Sequence, residues 1–195
     1  MPPPDGSPPV LLSLDYAAQQ PALPAETQDM ARYVNGTLRL RTSVPDGNDG
    51  LAAASSVFRD VIIQAQVALS EGGEDDLYGV FVRSPTADLY YAFAVSIGGH
   101  VFVSSYEGDF RPLVSGPLDP EMVFSHGLGQ SNRFQVVAIG PSLTFLLNGM
   151  LVTAEIVDER FAEGYLGFFV HHGSSSTHAE LAAEWIQVRG VFPEG

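Results

Sequence analysis

The stretch 132–169 constrains the fold most strongly, because it contains three strand-like runs joined by turns. Two of these runs, NRFQVVAI and SLTFLLNG, are rich in β-branched and aromatic residues and flank Gly140-Pro141. The second run ends in Asn148-Gly149, which favours a two-residue hairpin because both turn positions need positive φ. The stretch therefore predicts consecutive antiparallel strands with little helix.

Strand-like patterns continue on both sides of this stretch. The segment TLRLRTSV at 37–44 alternates apolar and polar residues like a half-buried strand, with Arg39 and Arg41 expected in solvent. An edge strand is predicted at 10–16, and further strands at 61–70, 78–83, 89–97, 100–106, 166–171 and 185–191. Short strands separated by turn residues are typical of a β-sandwich or barrel.

Three segments depart from simple alternation. GVFV and YYAFAV are apolar on both faces, which predicts central strands whose outer face is covered or lines a concave groove. The alanine-rich LAAASSV at 51–57 favours a turn of helix. The segment 107–131 contains three prolines and little periodicity, so we expect an irregular connection between two sheets.

The charge balance excludes several classes of partner. The net charge is −14, from 23 acidic residues against nine basic residues that are all arginine. Nucleic acid and anionic membrane surfaces should be repelled, so neither is an expected partner. The chain has no cysteine, which removes disulfides, cysteine-ligated zinc and thiol nucleophiles. No run approaches the ~20 apolar residues of a membrane-spanning helix.

The N-terminal segment has the composition of a linker. Seven of the 14 prolines precede residue 25, and MPPPDGSPP lacks the basic start and apolar centre of a signal peptide. We expect residues 1–9 to form a proline-rich linker and residues 10–195 to form a single β-sandwich domain. We also expect this domain to be part of a longer chain.

One ordered set of segments resembles a known superfamily. YVNGTLRL, VFRDVIIQAQVAL, DLYGVFVR, YYAFAVS, NRFQVVAIGPSLTFLLNG, FAEGYLGFF and EWIQV are similar to the concanavalin A-like lectin/glucanase sandwich, over about residues 11–191. The closest resemblance is to bacterial 3-keto-disaccharide hydrolase-like and laminin G-like modules. It implies an all-β, two-sheet antiparallel jelly-roll β-sandwich at the cell surface or outside the cell. The usual terminal Phe-Asp-Asn is replaced here by Ala183-Glu184-Trp185.

Enzymes of that superfamily place catalytic carboxylates together on one strand, at the ~5 Å spacing that retaining hydrolysis needs. No Glu-x-Asp-x-x-Glu run occurs here, and the acid clusters 74–76 and 158–159 fall in turn-like segments. A Gly-x-Ser-x-Gly nucleophile elbow is also missing. The sequence therefore predicts no catalytic residues, and a hydrolase remains the minor alternative.

A calcium site is the one metal site suggested by the sequence. Asp46, Asn48 and Asp49 in PDGNDG place oxygen ligands at short intervals around flexible glycines. An ordinary turn uses the same residues, and the distal glutamate of an EF-hand is missing. His171 and His172 are adjacent on a predicted strand and point to opposite faces, so they cannot chelate one ion together. No other cofactor is predicted.

Saccharide recognition needs flat aromatic faces and planar polar groups. The candidate binding residues are Tyr78, Phe81, Arg83, Tyr90, Tyr91 and Trp185. Burying an unpaired arginine is costly, so we expect Arg83 and Phe81 to reach solvent or a groove together, joined by either Tyr90 or Tyr91. In the alternative, Arg83 pairs with Asp88 or Glu107 at the sheet edge and the tyrosines are core residues.

These observations predict a non-catalytic extracytoplasmic module that binds a ligand, either a polysaccharide or cell-wall glycan or a sensory ligand. Two alternatives stay open. The domain could be a structural or protein-interaction sandwich, or, third, a glycoside hydrolase-like enzyme.

Overall fold

A computed structural model describes residues 7–191 of the chain. This part contains fifteen strands and one short 3-10 helix, Ala25–Thr27. The strands are β1 (Val10–Asp15), β2 (Ala31–Val34), β3 (Thr37–Thr42), β4 (Asn48–Ala52), β5 (Val61–Glu71), β6 (Leu77–Thr86), β7 (Leu89–Ser96), β8 (His100–Glu107), β9 (Phe110–Pro117), β10 (Asn132–Ile139), β11 (Ser142–Leu147), β12 (Met150–Leu151), β13 (Ile156–Val157), β14 (Tyr165–His171) and β15 (Ala179–Gly190).

The strands form two antiparallel sheets. The large sheet has the order β12-β11-β10-β5-β15-β3-β2, with β1 paired to β15 and β13 paired to β11. The small sheet has the order β4-β14-β6-β7-β8-β9. The predicted all-β, two-sheet jelly-roll sandwich is therefore confirmed. No helix in the described part of the chain has the length and hydropathy needed to cross a membrane.

The stretch 132–151 folds as its turn residues predicted. Gly140-Pro141 connects β10 to β11, since Ile139 pairs with Ser142 across a two-residue turn. Asn148 and Gly149 have φ of 51° and 84°, the positive values of a type I′ hairpin. This double hairpin presents alternate side chains of β10 and β11 to the space between the sheets.

Four aromatic rings form the centre of the core between the sheets. Phe134 and Phe145 of the large sheet stack with centroids 5.7 Å apart. Phe93 of the small sheet meets Phe145 edge-on at 5.4 Å, and Tyr78 meets Phe134 at 5.7 Å. All four are buried, so each joins one sheet to the other through burial and edge-to-face contact.

The small sheet is apolar on both faces, as GVFV and YYAFAV predicted. Tyr91 and Phe93 of β7 face the core, while Ala92 and Ala94 of the same strand are buried in a second apolar cluster. This cluster also contains Phe81, Tyr90 and Phe169, and Phe110 packs against it. The outer face of the small sheet therefore carries its own hydrophobic layer.

The small sheet curves strongly toward that outer face. Strands β9 and β14 are four neighbours apart, a separation of about 19 Å in a flat sheet. The rings of Phe110 on β9 and Phe169 on β14 nevertheless lie 6.0 Å apart. The outer face is therefore concave, and Phe110 reaches across it.

Two expectations about local structure were wrong. Segment 110–117, expected to be irregular, is strand β9, which within residues 7–191 pairs with β8 alone, at the sheet edge. Prolines are tolerated there because one side of an edge strand needs no ladder hydrogen bonds. Segment 51–57, expected to form a turn of helix, begins as the end of β4, because pairing with β14 overrides the weak helical preference of its alanines.

Arg39, expected in solvent, lies on the outer face of β3 with 22% of its side chain exposed, and it forms an ion pair there. Glu180 on the neighbouring strand β15 is 2% exposed, and its carboxylate accepts from Arg32 Nη2 at 2.5 Å and Arg39 Nη1 at 3.4 Å. A buried carboxylate needs such partners. Arg41 is partly exposed on the same strand as Arg39.

The predicted linker, 1–9, lies mostly outside the described residues. Within the described part, the Pro9 carbonyl accepts from Gly190 N at 2.9 Å, beside the pairing of β1 with β15. The division into a linker and a domain from residue 10 stays a prediction.

Asn132 joins three parts of the fold through one buried amide. Its Oδ1 accepts from Ser125 N at 2.9 Å and from Asn148 Nδ2 at 2.7 Å. Its Nδ2 donates to the Tyr78 hydroxyl and to the Ser125 carbonyl, both at 3.0 Å. The amide thus fixes the loop before β10, the β11–β12 turn and a core tyrosine of the opposite sheet.

Replacing this amide should be costly. Asn132→Ala leaves several buried polar groups without partners, so we expect the free energy of unfolding to fall by about 2–4 kcal/mol. Urea denaturation measures the loss. Gln130→Ala, at an exposed position of the same loop, is the control and should change stability by less than about 0.5 kcal/mol. Equal stabilities of the two variants would contradict the structural role of Asn132.

A second polar cluster lies at the end of the sandwich near β13. The Asp158 carboxylate accepts from the Tyr91 hydroxyl at 2.7 Å and from Arg160 Nε at 2.9 Å. Arg160 also donates to Glu107 at 3.0 Å. The hydrogen bonds from Arg160, followed by that from Tyr91, outweigh burial and lower the pKa of Asp158 to about 2.

This depressed pKa predicts a loss of stability in acid. The favourable contribution is complete above the unfolded pKa, near 3.9, and is lost as the pH falls through about 2. Asp158→Asn should therefore be less stable than wild type by roughly 2 kcal/mol at pH 6, with the difference shrinking toward pH 2. Urea unfolding across this range measures it, with the exposed Glu159→Gln as control. A pH-independent difference would contradict the role of the ionised carboxylate.

Candidate ligand-binding cleft

A cleft of about 560 Å³ opens on the concave outer face of the small sheet. Its lining residues come from β4, β6, β7, β8, β14, the β6–β7 turn and the segment before β2: Met30, Asn48, Asp49, Gly50, Ala52, Phe81, Ser84, Ala87, Asp88, Tyr90, Tyr106, Tyr165 and Phe169. Its size and mixed aromatic and polar lining are those of a site for a small organic ligand.

Aromatic rings form the floor of the cleft. Tyr90 and Tyr106 pair across β7 and β8, and their rings stack at 4.9 Å with an interplanar angle of 22°. Phe81 lies 5.8 Å from Tyr90 and Phe169 lies 6.1 Å from it. Side-chain alternation places all four on one face, since their strands are neighbours in the sheet. The floor is therefore aromatic, with Tyr90 and Tyr106 stacked and Phe81 and Phe169 each tilted by 54° from Tyr90.

Tyr165 supplies an accessible aromatic side chain to the cleft lining. It is the first residue of β14 and is 37% exposed, whereas Tyr90 is 6% exposed. A bulge between Tyr165 and Gly167 interrupts the regular pairing of β14 with β6. A ligand entering the cleft can therefore contact Tyr165 before it reaches the buried rings.

Hydrogen-bonding groups lie beside the aromatic floor. Asn48 Nδ2 donates to the Tyr90 hydroxyl at 2.5 Å, which orients both side chains. Burial, followed by the nearby Tyr106, Asp88 and Asp49, raises the pKa of Tyr90 above its ordinary value. The phenol therefore stays protonated at neutral pH, and the cleft presents neutral hydroxyl and amide groups.

The two charged residues in the cleft lining are both acidic. Asp49 lies on β4 and Asp88 lies in the turn between β6 and β7. Every other lining residue is apolar or carries an uncharged polar group. The electrostatic potential of the cleft therefore disfavours an anionic ligand.

The structure brings two of the predicted binding residues together in this cleft. Phe81 and Tyr90 share the outer face, as expected if one of the two adjacent tyrosines joined Phe81. Tyr91 points the other way, where its hydroxyl donates to Asp158 and accepts from Phe161 N at 3.2 Å. Burial raises the pKa of Tyr91 to about 12.

Tyr78 and Trp185 lie away from the cleft. Tyr78 is buried in the core, accepts a hydrogen bond from Asn132 and has its pKa raised by burial to about 12. Trp185 lies on β15 of the large sheet, where the Arg133 guanidinium sits 6.0 Å from its ring. Neither side chain lines the cleft.

The expected position of Arg83 beside Phe81 was wrong. Arg83 has φ of 52° in an irregular part of β6 and is 2% exposed. The pairing of β6 with β7 becomes irregular after Val82. This irregularity interrupts the alternation of side chains that would have placed Arg83 on the same face as Phe81. Its nearest carboxylate is that of Asp60, at 3.9 Å from Nη2, so pairing with Asp88 or Glu107 is also excluded.

The predicted calcium ligands divide between a turn and a strand. Asp46 has φ of 54° in the turn before β4, while Asn48 and Asp49 are the first residues of that strand. Asn48 is engaged with Tyr90 in the cleft. Among residues 7–191, no group of three or more histidine, aspartate or glutamate side chains is clustered to hold a metal. The calcium site stays a prediction.

Nine of the thirteen residues that line the cleft were not predicted as site residues: Met30, Gly50, Ala52, Ser84, Ala87, Asp88, Tyr106, Tyr165 and Phe169. Tyr106 could have been found, because the Gly98-Gly99 turn sets a β7–β8 register that places it opposite Tyr90. Tyr165 could not, since its position depends on the β14 bulge.

Known structures share this fold. The carbohydrate-binding module CBM66 from Bacillus subtilis matches with a TM-score of 0.63 and 17% identity, over 78% of this chain and 86% of that one. A galectin-like protein of unknown function from Bacillus subtilis matches with a TM-score of 0.66 and 12% identity, over 95% and 97%. The Bacillus licheniformis β-glucanase matches with a TM-score of 0.57 and 9% identity, over 84% of each chain.

No protein-family model matches the sequence, and no curated protein matches it either. The structural neighbours are concanavalin A-like jelly-roll sandwiches, which confirms at the level of fold the resemblance carried by the ordered strand motifs. The chain therefore has the concanavalin A-like lectin/glucanase fold.

Proposed function

We propose that this chain is a non-catalytic module that binds a neutral saccharide in the concave cleft, outside the cell, as part of a larger protein. The observation that carries the proposal is the accessible Tyr165 ring beside a floor of stacked aromatic rings. The C–H faces of a pyranose or furanose pack on such rings, while its hydroxyls need nearby polar partners. Asn48 and Ser84 lie in the lining; Asn48 donates to Tyr90 and Ser84 donates to the Thr86 carbonyl at 2.7 Å, so their side-chain oxygens are the groups left to accept from sugar hydroxyls.

The charge of the cleft supports a neutral ligand. Asp49 and Asp88 accept hydrogen bonds from sugar hydroxyls, but they repel carboxylated or sulfated sugars. Neutral glycans meet no such penalty. Among the structures with the same fold, one is itself described as a carbohydrate-binding module, which is consistent with this class of ligand.

The central strands of the cleft support binding without catalysis. The outward residues of β6 and β7 include Phe81, Tyr90 and Ala92, and none of the outward residues in their regularly paired parts is a carboxylate. Retaining glycosidases need an acid and a nucleophile about 5 Å apart across the scissile bond. Here the floor is aromatic and the two acids come from a sheet edge and a turn.

A protein-interaction role is the second candidate, favoured by a different surface. Val123, Met150 and Leu151 expose apolar side chains at the β12 edge of the large sheet, with exposed fractions of 67%, 36% and 58%. An exposed apolar edge can pair with another chain. This surface does not involve the cleft.

Removing the accessible aromatic ring should weaken saccharide binding. We expect Tyr165→Ala to bind the neutral oligosaccharide selected by wild type about tenfold more weakly, a loss of about 1.4 kcal/mol. Titration calorimetry with the best ligand from a panel of neutral and acidic glycans measures the change. Trp185→Phe, on the opposite sheet, is the matched control and should bind like wild type. The proposal would be contradicted if Trp185→Phe lost binding while Tyr165→Ala kept it. It would also be contradicted if wild type bound no glycan in the panel.

Removing the two negative charges of the cleft should change its relative affinity for acidic and neutral oligosaccharides. The protein should not hydrolyse its neutral ligand. The double change Asp49→Asn and Asp88→Asn should raise affinity for an acidic oligosaccharide by roughly fivefold, because two repulsive charges are removed. Affinity for the neutral ligand should change less. Wild type incubated with the neutral ligand should release no products by chromatography. Product release that disappears in the double variant would instead establish the hydrolase alternative.

A further inference from the structure

A second cavity of about 210 Å³ lies at the end of the sandwich near the β10–β11 turn. Its lining is Arg59, Arg83, Gly140, Pro141, Asp158, Glu159, Phe161 and Ala162. None of these residues lines the concave cleft. The cavity is therefore a separate feature, independent of the proposed saccharide site.

Arg83 is held in this cavity by the fold rather than by its own preferences. Its φ of 52° is a left-handed conformation that a long side chain adopts at a cost. Only 2% of its side chain is exposed, so the guanidinium has lost most of its hydration. Arginine remains protonated in such surroundings, and a buried charge without full pairing is costly.

One edge of the Arg83 guanidinium has no hydrogen-bond acceptor. Nη1 donates to the Phe161 carbonyl at 3.5 Å, but Nε and Nη2 are buried and find no partner within hydrogen-bond distance among residues 7–191. The Asp60 carboxylate, 3.9 Å from Nη2, is too distant for a hydrogen bond. Nε and Nη2 together form the edge with which arginine binds a carboxylate through two parallel hydrogen bonds.

Two of the three neighbouring carboxylates are engaged elsewhere, and the third, Glu159, lies at an exposed position of the cavity lining. Asp60 Oδ1 accepts from Gly140 N at 2.8 Å, and Asp158 accepts from Tyr91 and Arg160. Arg59 adds a second positive charge from an exposed position in the lining. Arg59 and Arg83 thus both belong to the cavity lining, and two buried donors of Arg83, behind the present cavity wall, find no acceptor among residues 7–191.

We propose that this cavity binds a carboxylate group, with Arg83 donating from Nε and Nη2 and Arg59 contributing from the rim. The carboxylate could belong to a small organic acid or to an acidic sugar. Because the two nitrogens are closed to solvent, the exposed segment 159–160 with Phe161 and Ala162 must shift to admit the ligand.

The test follows the Nε–H signal of Arg83 by ¹H–¹⁵N correlation NMR, assigned by comparison with Arg83→Lys. Acetate and glucuronate are titrated at constant ionic strength, with chloride and methyl glucoside as controls. We expect both carboxylates, but neither control, to shift this signal. Arg83→Lys keeps the charge and removes the two-donor edge, so its affinity should fall by about tenfold or more, measured by calorimetry. Arg59→Gln, at an exposed position, should lose about two- to threefold.

Comparing acetate with glucuronate distinguishes a small organic acid from an acidic sugar as the ligand. Similar affinity for both indicates a site for small organic acids, and tighter binding of glucuronate indicates an acidic sugar. The proposal is overturned if wild type responds to carboxylates no more than to chloride, or if Arg83→Lys binds acetate as well as wild type does. Tyr165→Ala should bind acetate normally, so failure here and failure of the saccharide proposal are separate results.

Discussion

The structure depends on the need to cover both faces of the small sheet. Its central strands carry apolar side chains inward to the core and outward into the layer of Phe81, Tyr90 and Phe169. The large sheet covers the inner face only. Burial of the outer face is achieved by curvature, which brings Phe110 from the edge strand to within 6.0 Å of the Phe169 ring. The cleft is the part of this concave face that remains open above the aromatic layer, which forms its floor.

The close packing of backbone in the small sheet requires glycine, and its outer face requires small side chains. A Cβ added to Gly167 would lie 2.0 Å from the Leu51 carbonyl oxygen, and one added to Gly79 would lie 2.0 Å from that of Phe93. Ala92 and Ala94 leave room on the outer face for larger rings from neighbouring strands. Small residues at the centre and aromatic residues around them thus serve packing and cleft formation together.

Period-two alternation was sufficient to predict most strands and the shared face of Phe81 and Tyr90, because regular pairing preserves alternation. It was insufficient for Arg83, since the irregularity after Val82 turns the next side chain to the other side of the sheet. Strand β9 was missed because its prolines contradict a central strand but fit an edge. Trp185 was grouped with the tyrosines by chemistry alone, and alternation cannot tell which sheet a strand joins.

The distribution of arginines sets Arg83 apart from the other basic residues. Arg32 and Arg39 neutralise the buried Glu180, and Arg160 bonds to Asp158 and Glu107. In a chain with a net charge of −14, acceptors for a buried arginine are abundant. A purely structural Arg83 would be expected to form equally short bonds, yet Asp60 bonds to the Gly140 amide and remains 3.9 Å away. The unpaired edge of Arg83 is therefore the observation on which the proposed carboxylate site rests.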